Sequence, residues 1–237
     1  MRELLTRWQT GDVHLRSPLQ TRQYELLADA IAKEKPRRVL DWGCGYGQVS
    51  VLLRERGVDV TPFDWLADAL PTSEEMPLER YPGMMAIKSS DPVRLPFEEA
   101  SFDLVLSVGV LEHVQDPDSS LDEIARVLEP GGRLFIYNLP NRTSWTEFVA
   151  RRIGAYYHGK YPHDQVYTRA SARALLERHG YRVASERYTG MLPQQMPVAP
   201  PSWAVRALWT INEGLARVPG VNRLATALQM VAHRQSA

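Results

Sequence analysis

The chain has 237 residues, and its 28 Lys and Arg balance 28 Asp and Glu, so the formal net charge at neutral pH is zero. That length suits a single α/β domain with extensions and is ample for a core, while the missing basic surplus argues against a general nucleic-acid binder. The only cysteine, Cys44, excludes an internal disulfide and a multi-cysteine zinc site, and no apolar run reaches the ~18 residues that a membrane-spanning helix needs.

Glu3 and Arg7 fall where a secretion signal would be apolar, so a reducing, cytoplasmic compartment is expected. Residues 1–36 read as a helical N-terminal extension: Tyr24, Leu27 and Ile31 recur at helical spacing and Pro36 closes the segment. A short apolar run, Arg38 to Trp42, then meets glycines at 43, 45 and 47, and helical periodicity resumes at Val49, Leu52 and Leu53. This is strand, glycine turn, helix.

The alternation continues with strands expected at 58–63, 84–88, 102–108, 134–137 and 181–187. Helices are expected at 66–80, 119–128 and 171–179, the last stopped by Gly180, with a turn at Pro130-Gly131-Gly132. Such an order predicts an α/β fold: a doubly wound, Rossmann-like, mostly parallel seven-stranded sheet with helices on both faces. The body then runs over 37–190. Within it, 139–168 is a long connection rich in Tyr, His and Arg. Residues 191–237 form a cap of helices, in which the apolar stretch 227–233 either continues a helix or returns as a closing strand.

A glycine-rich turn before a helix is an anion or dipole site, because glycines let a ligand approach bare backbone. The spacing here is not that of a dinucleotide site, which would need glycine where Gln48 stands, nor that of a P-loop. Asp41, two residues before the first glycine, would repel a pyrophosphate but welcome an ammonium, so the ligand is zwitterionic or cationic. Asp64 follows the second strand, 17 residues after Gly47, where a ribose-binding acid emerges; its alternative is a plain helix N-cap. Asp91, in Ser90-Asp91-Pro92, faces an adenine amine or simply makes an Asp-Pro turn.

The stretches VLDWGCGYG (39–47), LPFEEASFDLVLSVGVLEHV (95–114) and LEPGGRLFI (128–136), together with Asp64, resemble class I S-adenosylmethionine-dependent methyltransferases. The resemblance covers roughly 37–190 and is nearest to the small-molecule branch that includes quinone-biosynthesis enzymes. It implies S-adenosylmethionine as cofactor and a small-molecule acceptor. Asp41 and the loop of Gly43, Cys44, Gly45 and Gly47 would then hold the methionine end. Asp64 would take the ribose hydroxyls, with Trp65 beside the adenine; Asp91 would meet the adenine edge, and Ser107 would lie under the sulfonium. Related quinone O-methyltransferases place Glu-x-x-Glu-His after the fourth strand; here Gly109 replaces the first glutamate, leaving Glu112 and His113, so no metal is expected. The Asn/Asp-Pro-Pro-aromatic turn of adenine-amine methyltransferases is Ser107-Val108-Gly109-Val110 here, and Cys44 is misplaced for cytosine chemistry.

Oxygen is the favoured acceptor atom, with nitrogen or carbon of a small or lipid-like molecule the alternative, and for a hydroxyl a histidine base helps. Of the six histidines, His113 sits just past the fourth strand at the ligand-binding edge and His163 lies in the aromatic connection, beside Asp164. Both are candidate bases, each with a bland alternative: packing for His113, a turn bonded to Asp164 for His163. The connection 139–168 supplies aromatic residues and cations suited to a pocket wall. Segment 198–222, with Trp203, Trp209 and nearby arginines, fits a helix covering the body or a dimer face in preference to a membrane surface, and the state expected is monomer or homodimer. The rival readings are a nicotinamide dehydrogenase, disfavoured by Gln48 and Asp41, and a non-catalytic relative that only binds cofactor.

Overall fold

A computed structural model describes residues 17–65, 84–154, 164–192 and 201–235. The expected helix at 66–80 and the first sixteen residues lie outside these. The described elements are α1 (Pro18–Lys33), β1 (Val39–Trp42), α2 (Gln48–Glu55), β2 (Val60–Trp65), β3 (Ile87–Ser89), β4 (Phe102–Val108) and α3 (Pro117–Val127). They continue with β5 (Leu128–Pro140), α4 (Trp145–Arg152), α5 (Arg169–Arg178), β6 (Tyr181–Thr189), α6 (Ser202–Ala216), a 3₁₀ turn (Val221–Leu224) and β7 (Ala227–Arg234).

The strands form one seven-stranded sheet in the order β3-β2-β1-β4-β5-β7-β6. The pairings from β3 to β5 are parallel. β7 runs antiparallel to both β5 and β6. The sheet is therefore mixed, with a single reversed strand, which resolves the helix-or-strand ambiguity at 227–233 in favour of a strand. It lies inside the sheet, between β5 and β6. The reversal follows from the connection: α6 returns the chain to the end at which β6 finishes, so Ala227 pairs with Thr189 and β7 runs back the other way.

Side-chain alternation along the strands divides the core in two. On one face Val39, Leu104, Leu106 and Phe135 pack with Leu27, Ala28 and Ile31 of α1 and Val49 and Leu53 of α2. On the other, Leu40, Trp42, Val105, Leu134 and Ile136 pack with Leu121, Ile124 and Val127 of α3 and Ala172, Leu175 and Leu176 of α5. Helices on both faces explain why consecutive residues of β1 and β4, such as Val39-Leu40 and Leu104-Val105-Leu106, are apolar and buried.

Local chemistry sets the helix starts. Ser17 caps α1 with Pro18 at the first helical position. Asp116 caps α3 ahead of Pro117, and Thr168 with Ser171 forms a reciprocal capping box on α5. The expected turn at Pro130-Gly131-Gly132 is a bulge inside β5, where the pairing with β4 jumps from Leu128 to Arg133. The connection after β5 contains α4, and its return is stitched to β5 by an isolated bridge, Asn141 to Tyr167. Among the described side chains of α6, Asn212 and Ala216 are buried. Asn212 Oδ1 accepts the N–H groups of Met191 and Leu192, while Trp203 is 79% exposed, with Ile211 and Leu215 also outward. No described helix is long and apolar enough to cross a membrane.

Candidate cofactor and acceptor site

The site begins where β1 ends. Gly43, Gly45 and Gly47 have φ of 75°, 53° and 76°, a left-handed series that other residues adopt only with strain. It turns the chain sharply: the N–H groups of Gly43 and Cys44 both donate to Phe63 O of β2 at 2.9 Å. Gly47 then caps α2 without a side chain, leaving that helix's first N–H groups facing the loop. A Cβ on Gly43 would meet the Val110 methyls at 2.5 and 2.7 Å. The missing side chain is what lets the turn after β4 lie directly against the glycine loop.

Asp41 is buried on the α2 face and accepts a hydrogen bond from Ser50 Oγ at 2.6 Å. Burial, helped by the nearby Asp64 charge, outweighs that bond and pushes its pKa up to about 6. Asp64, at the end of β2, is held from both sides. Its Oδ2 accepts from Gly45 N and its Oδ1 from Trp65 N, each at 2.8 Å. A carboxylate oxygen can accept more than one hydrogen bond, which is what binding both hydroxyls of a diol requires. The same acids, after burial, drive the Cys44 thiol far above its ordinary pKa. It stays protonated, a small side chain in the loop rather than a nucleophile.

On the opposite face, Trp65 packs edge-on against Trp42 and Phe63, with centroids at 5.3 and 5.2 Å. Ser107 of β4 stands in register with Trp42 of β1. The Ser107 hydroxyl and the Trp65 indole N–H are buried and lack hydrogen-bond partners among the described residues. An orphaned buried polar group costs about 1–3 kcal/mol. A polar ligand lying across the ends of β1, β2 and β4 would satisfy both. The donor set therefore fits a zwitterionic nucleoside: an acid with diol capacity, bare loop backbone, a buried acid and an unsatisfied hydroxyl.

Asp91 is exposed and engaged in its own turn. Its Oδ1 accepts from Val93 N and Arg94 N at 2.9 and 2.7 Å, and the first of these bonds, then the second, holds its pKa below the ordinary value. The Asp-Pro turn is thus formed, with one carboxylate oxygen committed to it. His113 Nδ1 lies 3.0 Å from Asp164 Oδ1. His163, the other candidate base, lies outside the described residues. Glu112 is buried beside His113, and its carbonyl accepts from Gln165 N at 2.8 Å. Among the described residues no group of three or more His, Cys, Asp or Glu is placed to hold a metal ion.

Two features escaped sequence reasoning. Ser50 as the partner of Asp41 was findable, being a hydroxyl in the first turn of the helix that follows the loop. Asp164 as the partner of His113 was not, since the two are 51 positions apart.

Fold and site together define a nucleoside-binding, doubly wound α/β enzyme of the kind that binds its ligand at the carboxyl ends of the strands. Residues 40–136 match the family model described as "Methyltransferase domain". Over 164 residues the chain is 32% identical to the demethylmenaquinone methyltransferase of Renibacterium salmoninarum, covering 65% of this chain and 67% of that one. It is 31% identical over 182 residues to the Streptomyces griseus protein of the same name, covering 69% and 77%. The ubiquinone biosynthesis O-methyltransferase of Xylella fastidiosa is 35% identical over 134 residues, and this chain spans about half of its length (54% and 53% coverage). Among solved structures, the Burkholderia thailandensis 1,6-didemethyltoxoflavin-N1-methyltransferase, with S-adenosylhomocysteine bound, superposes with a TM-score of 0.58 at 20% identity, covering 95% of this chain and 82% of that one. At that identity the likeness concerns the fold. The chain belongs to the class I S-adenosylmethionine-dependent methyltransferases, and its cofactor is S-adenosylmethionine.

Proposed function

We propose that the enzyme methylates a hydroxyl of a small molecule, the acceptor entering at the carboxyl edge between the turn after β4 and the connection after β5. The observation that carries this reading is the doubly held Asp64. Two backbone N–H groups fix its carboxylate, as suits a ribose acid. In support of an oxygen acceptor stand the name of the Xylella relative and a histidine, His113, at the edge.

The bound cofactor supplies a methyl group on a sulfonium, already activated for displacement. The chain's own residues supply the rest. Asp64 holds the ribose hydroxyls; Asp41 and the loop at 43–47 hold the methionine end; Ser107 Oγ lies beneath it. Trp65 and Asp91 border the adenine. What remains for the protein is to align an acceptor oxygen with the methyl group and to take up a proton.

Isothermal titration tests the reading. The native protein binds S-adenosylhomocysteine. Asp64→Ala stays folded by circular dichroism but binds it roughly 10–150-fold more weakly, the equivalent of losing about 1.5–3 kcal/mol of charge-assisted hydrogen bonding. No binding by the native protein refutes the assignment, and unchanged binding by the variant misplaces the ribose acid.

A further inference from the structure

We propose that the outer face of α6, together with the stretch 217–224 and α4, docks on an anionic lipid surface and lies along it without crossing it. Three observations carry the proposal. The first is where exposed apolar surface collects. Among the described residues eleven large apolar side chains stand exposed, and nine of them belong to α4, α6 or 217–224. Single exposed apolar residues are ordinary, but a gathering of this kind marks a contact surface. Trp203, Ile211 and Leu215 are separated by multiples of four residues, so they share one outward stripe of α6, while Asn212 and Ala216 turn inward. The second observation is charge. Residues 141–154 and 201–224 hold six arginines, all exposed, against two glutamates. Both glutamates already face arginines: Glu147 lies 2.9 Å from Arg151 and Glu213 lies 3.6 Å from Arg217. The surface is therefore positive in a chain whose formal net charge is zero. On α4 the Arg152 guanidinium stands 4.5 Å above the Phe148 ring, so apolar and cationic groups occupy the same spot.

The third observation is continuity. Pro140, ending β5, and Thr189, ending β6, both pair with Ala227. The connections that carry α4 and α6 thus leave the sheet at one edge, the carboxyl edge that also holds the cofactor loop. They are tied together there: Trp145 Nε1 donates to Met191 O at 2.7 Å, and Met191 N to Asn212 Oδ1 at 2.5 Å. Charge decides what covers the face. A second copy across a two-fold axis would set this positive surface against itself. An acidic lipid surface instead attracts every arginine and takes up the apolar stripe, with the guanidinium groups at headgroup level. Docked in this way, the protein brings its ligand-binding edge to the bilayer, whichever acceptor atom it methylates.

Density flotation of the full native chain tests this, with two kinds of vesicle: phosphatidylcholine and phosphatidylglycerol in equal parts, and phosphatidylcholine alone. The native protein floats with the first, binds the second at least about tenfold more weakly, and is released from the first by about 0.5 M salt. Two double variants separate the contributions. Ile211→Asp with Leu215→Asp removes the stripe, and Arg206→Glu with Arg223→Glu reverses charge at exposed positions alone. Each lowers affinity for the acidic vesicles at least about tenfold. Both keep the native circular dichroism melt and bind S-adenosylhomocysteine within about twofold of the native protein. Absence of native binding to the acidic vesicles, equal binding to the neutral ones, or native binding by the Arg206→Glu, Arg223→Glu variant overturns the proposal. So does a native dimer in light scattering that Ile211→Asp with Leu215→Asp dissociates, which would give the face to a second copy. Flotation is read without cofactor, so a failure here is distinct from a failure to bind S-adenosylhomocysteine.

Discussion

At the scale of single residues, the least comfortable group is Asp41. Its pKa is raised to about 6 by burial, with the Asp64 charge adding to it. The unfolded chain ionises this acid near pH 4, so the ligand-free protein pays for its charge across the interval between. The stability it contributes is complete below the unfolded value and disappears as pH rises through the folded one, at a cost of roughly 3 kcal/mol by neutral pH. Asp41→Asn keeps an acceptor for Ser50 Oγ but carries no charge. Its melting temperature should match the native value near pH 4 and exceed it increasingly up to pH 7, followed by circular dichroism without cofactor. On the proposed contact between Asp41 and the methionine ammonium, addition of S-adenosylmethionine should narrow or reverse that advantage.

At the scale of elements, two junctions tie neighbouring segments together. The first is the contact of Gly43 with Val110. Gly43→Ala adds a Cβ at φ 75° and 2.5 Å from a methyl carbon, and should cost about 2–4 kcal/mol. Val110→Ala in the same chain should recover the steric part but not the backbone part, as chemical denaturation will show. The second is His179, which closes α5 and reaches back to α3, with Nδ1 at 2.6 Å from Asp122 and Nε2 at 2.7 Å from Asp118. Burial alone would lower its pKa, but the bonds to Asp122 and Asp118 outweigh burial and raise it. The stabilisation is present below about pH 6.5 and fades as pH rises through the raised value. Both acids are about half exposed or more, so the effect is at most about 1 kcal/mol. His179→Gln should lower the melting temperature at pH 6 and leave it nearly unchanged at pH 9.

At the scale of the whole molecule, what could be read in the sequence follows the range of the forces involved. The unit of β1, glycine loop and α2 is encoded within a dozen residues, by an apolar run, φ-permissive glycines and a helical stripe, and it was legible. So was Asp64, because a parallel strand pair fixes how far along the chain the second strand must end. β7 was ambiguous, because ALQMVAH fits either period and becomes a strand only through partners on both sides. The bond between His113 and Asp164 joins residues 51 positions apart, on separate segments, and no local pattern announces it. Ending the chain after Thr226 removes β7 and opens two edges at once. That variant should aggregate on size-exclusion chromatography rather than show one cooperative transition.

The same strand also orders events in time. As the polypeptide is made, β5 and then β6 appear, yet neither can bond to the other, because the slot between them belongs to residues not yet translated. β6 must wait as an unpaired ribbon through some forty further positions before its neighbour arrives. During that wait the cofactor loop, complete since the first quarter of the chain, is free to form, so ligand capture and the final zippering of the sheet are separable steps in biogenesis.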